Sequence, residues 1–118
     1  MTARLYGIPN CDTVKKARTW LDAQAIPYVF HDYKKAGVDA DVLARAIDRL
    51  GWEKVLNRAG TTFRKLPADE TEGLDEARAI ALMLANPSAI KRPVLEGQGV
   101  LLAGFKPEIY AEALSPAD

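Results

Sequence analysis

The sequence predicts a single α/β domain with a four-stranded mixed sheet, flanked by helices, across all 118 residues. Three observations predict it. The chain opens with a strand–helix–strand unit of about 30 residues, the size of a βαβ motif with parallel strands. It closes with a β-hairpin and a helix. Between them lies a helical insertion, over about residues 38–86.

The opening unit carries strand and helix patterns in turn. Strands are predicted over residues 4–7 and 28–33, the second because aromatic residues alternate there. The helix between them follows a Pro-containing turn and has Asp12 or Thr13 as its N-cap. Its buried face is expected to carry apolar residues at three- and four-residue spacing, namely Val14, Ala17, Trp20 and Leu21.

A predicted loop over residues 34–37 precedes the insertion. Asp39 is expected to cap the next helix and Gly51 to end it. The apolar stripe of that helix is Val42, Leu43, Ala46, Ile47 and Leu50.

A short helix over residues 52–56 and a polar loop over residues 57–62 are predicted next. Residues 74–86 form a strong helical pattern that ends at a proline. Its inward residues are expected to be Ala77, Ile80, Ala81 and Leu84.

The last part of the chain reads as a hairpin. A strand over residues 90–96 is entered through the Arg92–Pro93 bond, residues 97–99 form a tight turn, and residues 100–103 return.

A final helix has Pro107 in its first turn, and residues 115–118 are expected to fray. The apolar residues of this helix are Ile109, Tyr110 and Leu114. By analogy, the order βαβ, helices, ββα is that of the thioredoxin/glutaredoxin-like fold, although other α/β folds share it.

Composition excludes several functions. Sixteen basic residues balance sixteen acidic ones, so no basic excess points to nucleic acid or to a membrane surface. No apolar run approaches the ~20 residues of a membrane span, and no signal segment is visible. No cluster has metal-ligand spacing and no Gly-rich phosphate loop is present. One cysteine excludes an internal disulfide, and a cytoplasmic location is the default expectation.

Cys11 is the only cysteine and lies just ahead of the first predicted helix. A helix N-terminus carries partial positive charge, which favours the thiolate and makes the sulfur a nucleophile. The alternative is an incidental buried thiol, but the turn before the helix favours the reactive interpretation. The lone histidine, His31, is expected to have a structural role in its strand.

Four segments together resemble the arsenate reductase (ArsC)-like family: residues 6–18, 58–64, 90–94 and 104–105. The nearest branch is the ArsC-related proteins described as glutathione-dependent thiol reductases. Its sister branch is the Spx/MgsR group of transcriptional regulators. The similarity spans about residues 4–114, essentially the whole chain.

The resemblance implies roles for individual positions. Cys11 takes the place of the family's nucleophile, and Arg58 and Arg92 take the places of two anion-binding arginines. Pro93 matches a proline that is cis in thioredoxin-like folds. A third arginine of the arsenate reductases is replaced by Lys106, which keeps the charge but lacks the planar fork that grips an oxyanion.

The chemistry implied is thiol-dependent reduction. Val14 stands where the regulators carry a second cysteine, so an internal redox pair is impossible and an external thiol must reset Cys11. Glutathione is therefore expected as co-substrate, with glutaredoxin as a partner and no bound cofactor. The substrate and glutathione site is expected to include Asn10, Asp12, Thr13, Lys15, Arg58, Arg92, Pro93 and Lys106, with Arg64 and Lys91 as weaker candidates for its basic rim.

Three functional alternatives stay open at this point. The first is a glutathione-dependent thiol/disulfide reductase. The second is a non-catalytic, Spx-like regulator that binds RNA polymerase or another protein. The third is a true arsenate reductase. A monomer is expected, although the sequence leaves the oligomeric state and the physiological substrate open.

Overall fold

The four-stranded mixed sheet predicted from the sequence is confirmed in a computed structural model, which describes residues 2–114. The predicted tail at residues 115–118 lies outside this range. The strands are β1 (Ala3–Gly7), β2 (Tyr28–Asp32), β3 (Val94–Gly97) and β4 (Val100–Ala103). Their spatial order is β2-β1-β3-β4. β1 runs parallel to β2 and antiparallel to β3, and β3 and β4 form the predicted antiparallel hairpin.

Helices connect these strands. In chain order they are α1 (Asp12–Ala23), α2 (Tyr33–Ala36), α3 (Ala40–Leu50), α4 (Trp52–Val55), α5 (Thr61–Arg64), α6 (Ala68–Thr71), α7 (Glu76–Ala85) and α8 (Pro107–Ala113). A short 3-10 helix, Pro87–Ala89, follows α7.

The chain divides into two compact units. The first comprises residues 2–37 and 92–114 and holds the sheet with α1, α2 and α8. The second comprises Val38–Lys91 and holds α3 to α7.

The core of the first unit lies between one face of the sheet and helices α1 and α8. Alternation along β1 directs Ala3 and Leu5 to this face and Tyr6 to the other. The buried cluster consists of Ala3, Leu5, Ala17, Leu21, Ile26, Leu95, Tyr110 and Leu114. Of the predicted α1 stripe, Trp20 is only half-buried, and Ile109 of α8 is exposed.

The start and end of α3 are as predicted. The Asp39 carboxylate accepts hydrogen bonds from the backbone N–H groups of Asp41 and Val42, which caps the helix. Gly51 ends it at φ 89°, in the left-handed region that glycine tolerates. The residues Val42, Leu43, Ala46 and Ile47 are buried, whereas Leu50 is half-buried.

The predicted inward face of α7 is wrong. The buried residues are Ala79, Leu82 and Met83, whereas Leu84 is 42% exposed. Ala77 and Ala81 are also exposed, and Ile80 is half-buried. The reason is that α7 is apolar on nearly all sides after its first turn, so the spacing of apolar residues fits more than one face.

Element boundaries also differ from the prediction in several places. β2 ends at Asp32, whose carboxylate accepts from the N–H of Lys34 and caps α2, so part of the predicted loop is helical. The polar loop at residues 57–62 gives way to α5 at Thr61. β3 begins at Val94, because Ile90 instead forms an isolated bridge with Leu56 within the second unit.

Candidate active site

Cys11 is itself the N-cap of α1. Its backbone is extended (φ −141°, ψ 125°), and its carbonyl oxygen accepts the first helical hydrogen bond from the N–H of Lys15 at 2.9 Å. The predicted cap at Asp12 or Thr13 is therefore wrong, because both residues lie inside the first turn. No side chain forms a cap hydrogen bond at this end of α1. The partly exposed thiol thus lies at the positive end of the helix dipole, beside N–H groups that have no helical acceptor.

A close contact at Gly7 joins the end of β1 to the first turn of α1. A Cβ atom on Gly7 would lie 2.9 Å from Cγ2 of Val14 and 3.9 Å from Cα of Pro93. Because Val14 is three residues after Cys11 in the chain, this contact brings the backbone of Pro93 next to the turn that carries the thiol. The strand, the helix start and the proline loop therefore meet at one glycine.

The Arg92–Pro93 peptide bond is cis, as the resemblance implied. Pro93 is buried, and its carbonyl oxygen accepts a hydrogen bond from the N–H of Gly104 at 2.8 Å, which ties the proline loop to the segment after β4. Arg92, which directly precedes this proline, is only partly buried.

An aromatic cluster lies on the sheet face opposite α1. The ring centroids of Tyr6 and His31, which are paired across β1 and β2, are 5.1 Å apart, and those of His31 and Tyr33 are 6.0 Å apart. Nε2 of His31 lies 2.9 Å from the carbonyl oxygen of Gly37, which it reaches as a donor. His31 thus joins the strand to the residue after α2, in keeping with the structural role expected for it.

Tyr33 connects this cluster to Arg92. Burial raises the pKa of the Tyr33 hydroxyl, the neighbouring Tyr6 raises it further, and the positive charge of Arg92 opposes both. Arg92 is therefore close enough to Tyr33 for its charge to act on the hydroxyl. Neither Tyr6 nor Tyr33 was predicted from the sequence to lie near the site. Tyr6 pairs directly with His31 across β1 and β2, and Tyr33 is the first residue of α2, two positions after His31 in the chain.

The remaining predicted residues of the first unit lie on its surface. Asn10, Asp12, Thr13 and Lys15 are exposed in the turn before α1 and along its first turn. Lys106 is the N-cap of α8 and is also exposed, two residues after the glycine that binds the Pro93 carbonyl. Their roles in substrate and glutathione binding stay predictions.

Arg58 belongs to the second unit, where it follows α4. Its Nη2 lies 3.1 Å from Oε2 of Glu53, and its guanidinium carbon lies 5.3 Å from the centroid of the Trp52 ring. The arginine side chain is about half exposed (49%), so this pair is weak. Its assignment as a catalytic or binding residue stays a prediction, as does that of Arg64, which ends α5.

Within residues 2–114, no group of histidine, cysteine and carboxylate side chains has the arrangement needed to hold a metal ion. In the same range, no helix combines the length and apolar character needed to cross a membrane.

Comparison with known proteins places this geometry in a family. The model of the ArsC family matches residues 6–113. The solved structure of a protein named YffB is 60% identical and has a TM-score of 0.92, with 96% of this chain and 99% of that chain covered. An arsenate reductase (ArsC) related protein from Brucella melitensis is 57% identical with a TM-score of 0.75, over 95% of this chain and 93% of that chain.

More distant similarity extends to regulators. The global transcriptional regulator Spx of Streptococcus mutans is 28% identical over 116 residues, which cover 97% of this chain and 83% of the regulator.

Proposed function

Because this chain belongs to the ArsC family, we propose that it is a thiol-dependent oxidoreductase in which glutathione resets a single nucleophilic cysteine, Cys11. The observation that supports this most is the placement of the thiol. Cys11 caps α1 without using its side chain for the cap, and the Pro93 loop packs against the same turn. A thiol in this position is reachable and lies beside positive partial charge.

The reaction balances as two thiol exchanges. The Cys11 thiolate attacks one sulfur of a disulfide substrate, so that a mixed disulfide forms and the other half leaves as a thiolate. A glutathione thiolate then attacks the outer sulfur of the mixed disulfide, so that Cys11 leaves as a thiolate and the bound half leaves as a disulfide with glutathione. Where the bound half is itself glutathione, this product is oxidised glutathione. For a glutathione mixed disulfide, the net result is one reduced substrate thiol and one oxidised glutathione for each glutathione consumed.

The external thiol follows from the cysteine count. The sequence contains one cysteine, so no second thiol in the chain can resolve the mixed disulfide. Glutathione, or glutaredoxin acting on the glutathionylated enzyme, supplies that step in this proposal.

Positive side chains are proposed to bind the anionic groups of the substrate. Glutathione carries two carboxylates, and a guanidinium binds a carboxylate with two parallel hydrogen bonds. Arg92 is the first candidate because it adjoins the Pro93 loop and is partly exposed. Arg58 is proposed from the resemblance alone, and Lys15 and Lys106 are proposed as secondary contacts.

Arsenate is a less favoured substrate. Lys106 offers a point charge where the arsenate reductases carry an arginine, and a point charge cannot form the two-bond contact with an oxyanion. Arsenate-dependent oxidation of glutathione in the presence of glutaredoxin tests this substrate. Turnover would extend the proposal to arsenate, and its absence would restrict it to disulfides.

The proposal is tested by a coupled assay in which glutathione reductase and NADPH report the oxidised glutathione formed from a small glutathione mixed disulfide. We expect turnover in the wild-type chain and background rates in Cys11→Ser. A Lys16→Gln variant serves as a control, because Lys16 is an exposed residue of α1. Equal rates in the wild-type chain and in Cys11→Ser would rule out the proposed chemistry.

A regulator is the second candidate, favoured by the similarity to Spx over nearly the whole chain. It predicts binding to RNA polymerase, measured by co-purification of the two, that survives Cys11→Ser. Turnover lost in Cys11→Ser, with no such binding, supports the enzyme instead.

A further inference from the structure

We infer that Tyr110 is a positioning residue for the Cys11 site and acts on it through Gly104 and Pro93. The inference rests on the proposed thiol-exchange function and adds to it a residue about a hundred positions away in the chain. Three consecutive contacts within the first unit carry it.

The first contact is the hydrogen bond from the Tyr110 hydroxyl to the carbonyl oxygen of Gly104, which is 2.8 Å long and buried. Gly104 has φ 84°, so its backbone is in the left-handed region where the segment after β4 turns. Tyr110 therefore holds the peptide group between Gly104 and Phe105 in place, at the end of the turn and just before the exposed Lys106.

The second contact is the hydrogen bond from the N–H of the same glycine to the carbonyl oxygen of Pro93, also 2.8 Å long. Gly104 is thus held on its carbonyl side by Tyr110 and holds the Pro93 loop on its amide side. Loss of the tyrosine hydroxyl would leave the buried Gly104 carbonyl without its side-chain donor, which favours a shift of this peptide.

The third contact connects Pro93 to the thiol. Pro93 packs against Gly7, and Gly7 packs against Val14 in the first turn of α1. A shift of the proline loop would therefore change the position of the groups that border Cys11. Arg92, which is partly exposed and directly precedes Pro93, belongs to the same loop.

The Tyr110 ring is itself held firmly. It is 1% exposed and makes edge-on contacts with Phe105 (centroids 4.8 Å apart) and with Trp20 of α1 (5.8 Å). The hydroxyl is protonated at neutral pH, and burial raises its pKa further above the ordinary value of 10.0. A fixed, protonated hydroxyl suits a positioning role.

The test is Tyr110→Phe, which removes the donor and keeps the ring. Tyr28→Phe is the matched control: its hydroxyl accepts from Arg18 at 3.2 Å, and Tyr28 pairs with Ala3, at the opposite end of β1 from Gly7. Two rates are measured on each folded variant, the alkylation of Cys11 by iodoacetamide and its exchange with oxidised glutathione. Alkylation needs only a reachable thiolate, whereas exchange also needs the Pro93 loop and Arg92 in place.

We expect Tyr110→Phe to slow glutathione exchange roughly tenfold while alkylation changes little, because misplacement of binding groups affects the larger reagent. Tyr28→Phe should leave both rates unchanged. Equal changes of the two rates in Tyr110→Phe, or no change in either, would overturn the inference while leaving the proposed function intact. If the wild-type chain shows no exchange with oxidised glutathione, both the inference and the proposed function are overturned. This outcome is distinguishable because it is seen in the wild-type chain itself.

A second measurement applies even if Tyr110→Phe does not fold. Amide hydrogen exchange at Gly104 in the wild-type chain should be strongly protected, because this N–H binds the Pro93 carbonyl. Exchange as fast as that of an exposed loop amide would overturn the inference.

Discussion

The Cα atom of Gly7 lies directly against the Val14 side chain, so close that a Cβ atom at residue 7 would sit 2.9 Å from Cγ2 of Val14. This contact sets the distance between the end of β1 and the first turn of α1. Cys11 lies in the connection between them and makes no cap hydrogen bond of its own. The close contact between Gly7 and Val14 therefore joins the two elements that flank the segment carrying the thiol.

A methyl group at Gly7 should destabilise the fold. We expect Gly7→Ala to lower the free energy of unfolding by about 1–3 kcal/mol, the usual cost of overpacking, and to slow the reaction of Cys11 with oxidised glutathione. Urea unfolding and the rate of mixed-disulfide formation measure the two effects.

Val14→Ala provides the control for this change because it removes the methyl groups that the new Cβ atom would meet. The double variant Gly7→Ala/Val14→Ala should be more stable than the sum of the two single effects predicts. Strictly additive effects would mean that the two residues are not in repulsive contact in the Gly7→Ala variant.

Arg92 should matter for the reaction with glutathione more than a surface lysine outside the predicted site does. Arg92→Gln is expected to reduce the rate of exchange with oxidised glutathione roughly tenfold, the scale of one lost charge-assisted hydrogen-bond pair. The exchange rate of Arg92→Lys should lie between those of Arg92→Gln and the wild-type chain, because lysine keeps the positive charge without the planar guanidinium fork. Lys16→Gln, which removes one positive charge from an exposed position of α1 outside the predicted site, is the matched control. A similar loss in Lys16→Gln would mean that the effect reflects general surface charge, and the rates of both variants would then show the same dependence on salt.

The buried face of α7 can be checked by a pair of adjacent substitutions. Met83 is 0% exposed and Leu84 is 42% exposed. Met83→Ala should therefore cost about 2–5 kcal/mol of unfolding free energy, whereas Leu84→Ala should cost less than about 1 kcal/mol. Thermal or urea unfolding of both variants gives the comparison, and the opposite ranking would restore the face predicted from the sequence.

Tyr33 should make the fold sensitive to alkaline pH. Its pKa is raised in the folded chain, chiefly by burial, above the ordinary value of 10.0. The unfolded chain therefore loses this proton first, and stability is intact below pH 10 and falls above it, by up to about 1.4 kcal/mol for each pH unit. Tyr33→Phe should show a shallower loss of stability between pH 10 and 11 than the wild-type chain. Parallel curves for the two chains would show that Tyr33 ionises as easily in the fold as outside it.

The sheet and the site differ in how far the sequence determines them. The aromatic strand β2, the hairpin of β3 and β4 and the Asp39 cap are local features, and each is present in the structure. The hairpin turn is shorter than predicted, because Gly97 belongs to β3 and only Gln98 and Gly99 connect the strands. The face of α7 was wrong because the helix is apolar on nearly all sides, so only packing chooses the buried residues.

The same distinction applies to the site. The position of Cys11 before a helix was readable from local sequence, although the cap itself was assigned one or two residues too late. The links through Tyr33 and Tyr110 depend on contacts between residues that are far apart in the chain. No local pattern encodes such contacts, and the family resemblance supplied Arg92 and Pro93 but neither tyrosine.

The central claim is that the fold makes Cys11 reactive, and the single cysteine allows this to be measured without ambiguity. The rate of mixed-disulfide formation with oxidised glutathione is followed by mass spectrometry at about pH 6, where an ordinary thiol is almost entirely protonated. The native chain and the same chain unfolded in urea are compared, so that only the structure around the sulfur differs. We predict faster reaction in the native chain, with one glutathionyl group on Cys11. A native rate equal to or below that of the unfolded chain would contradict the account.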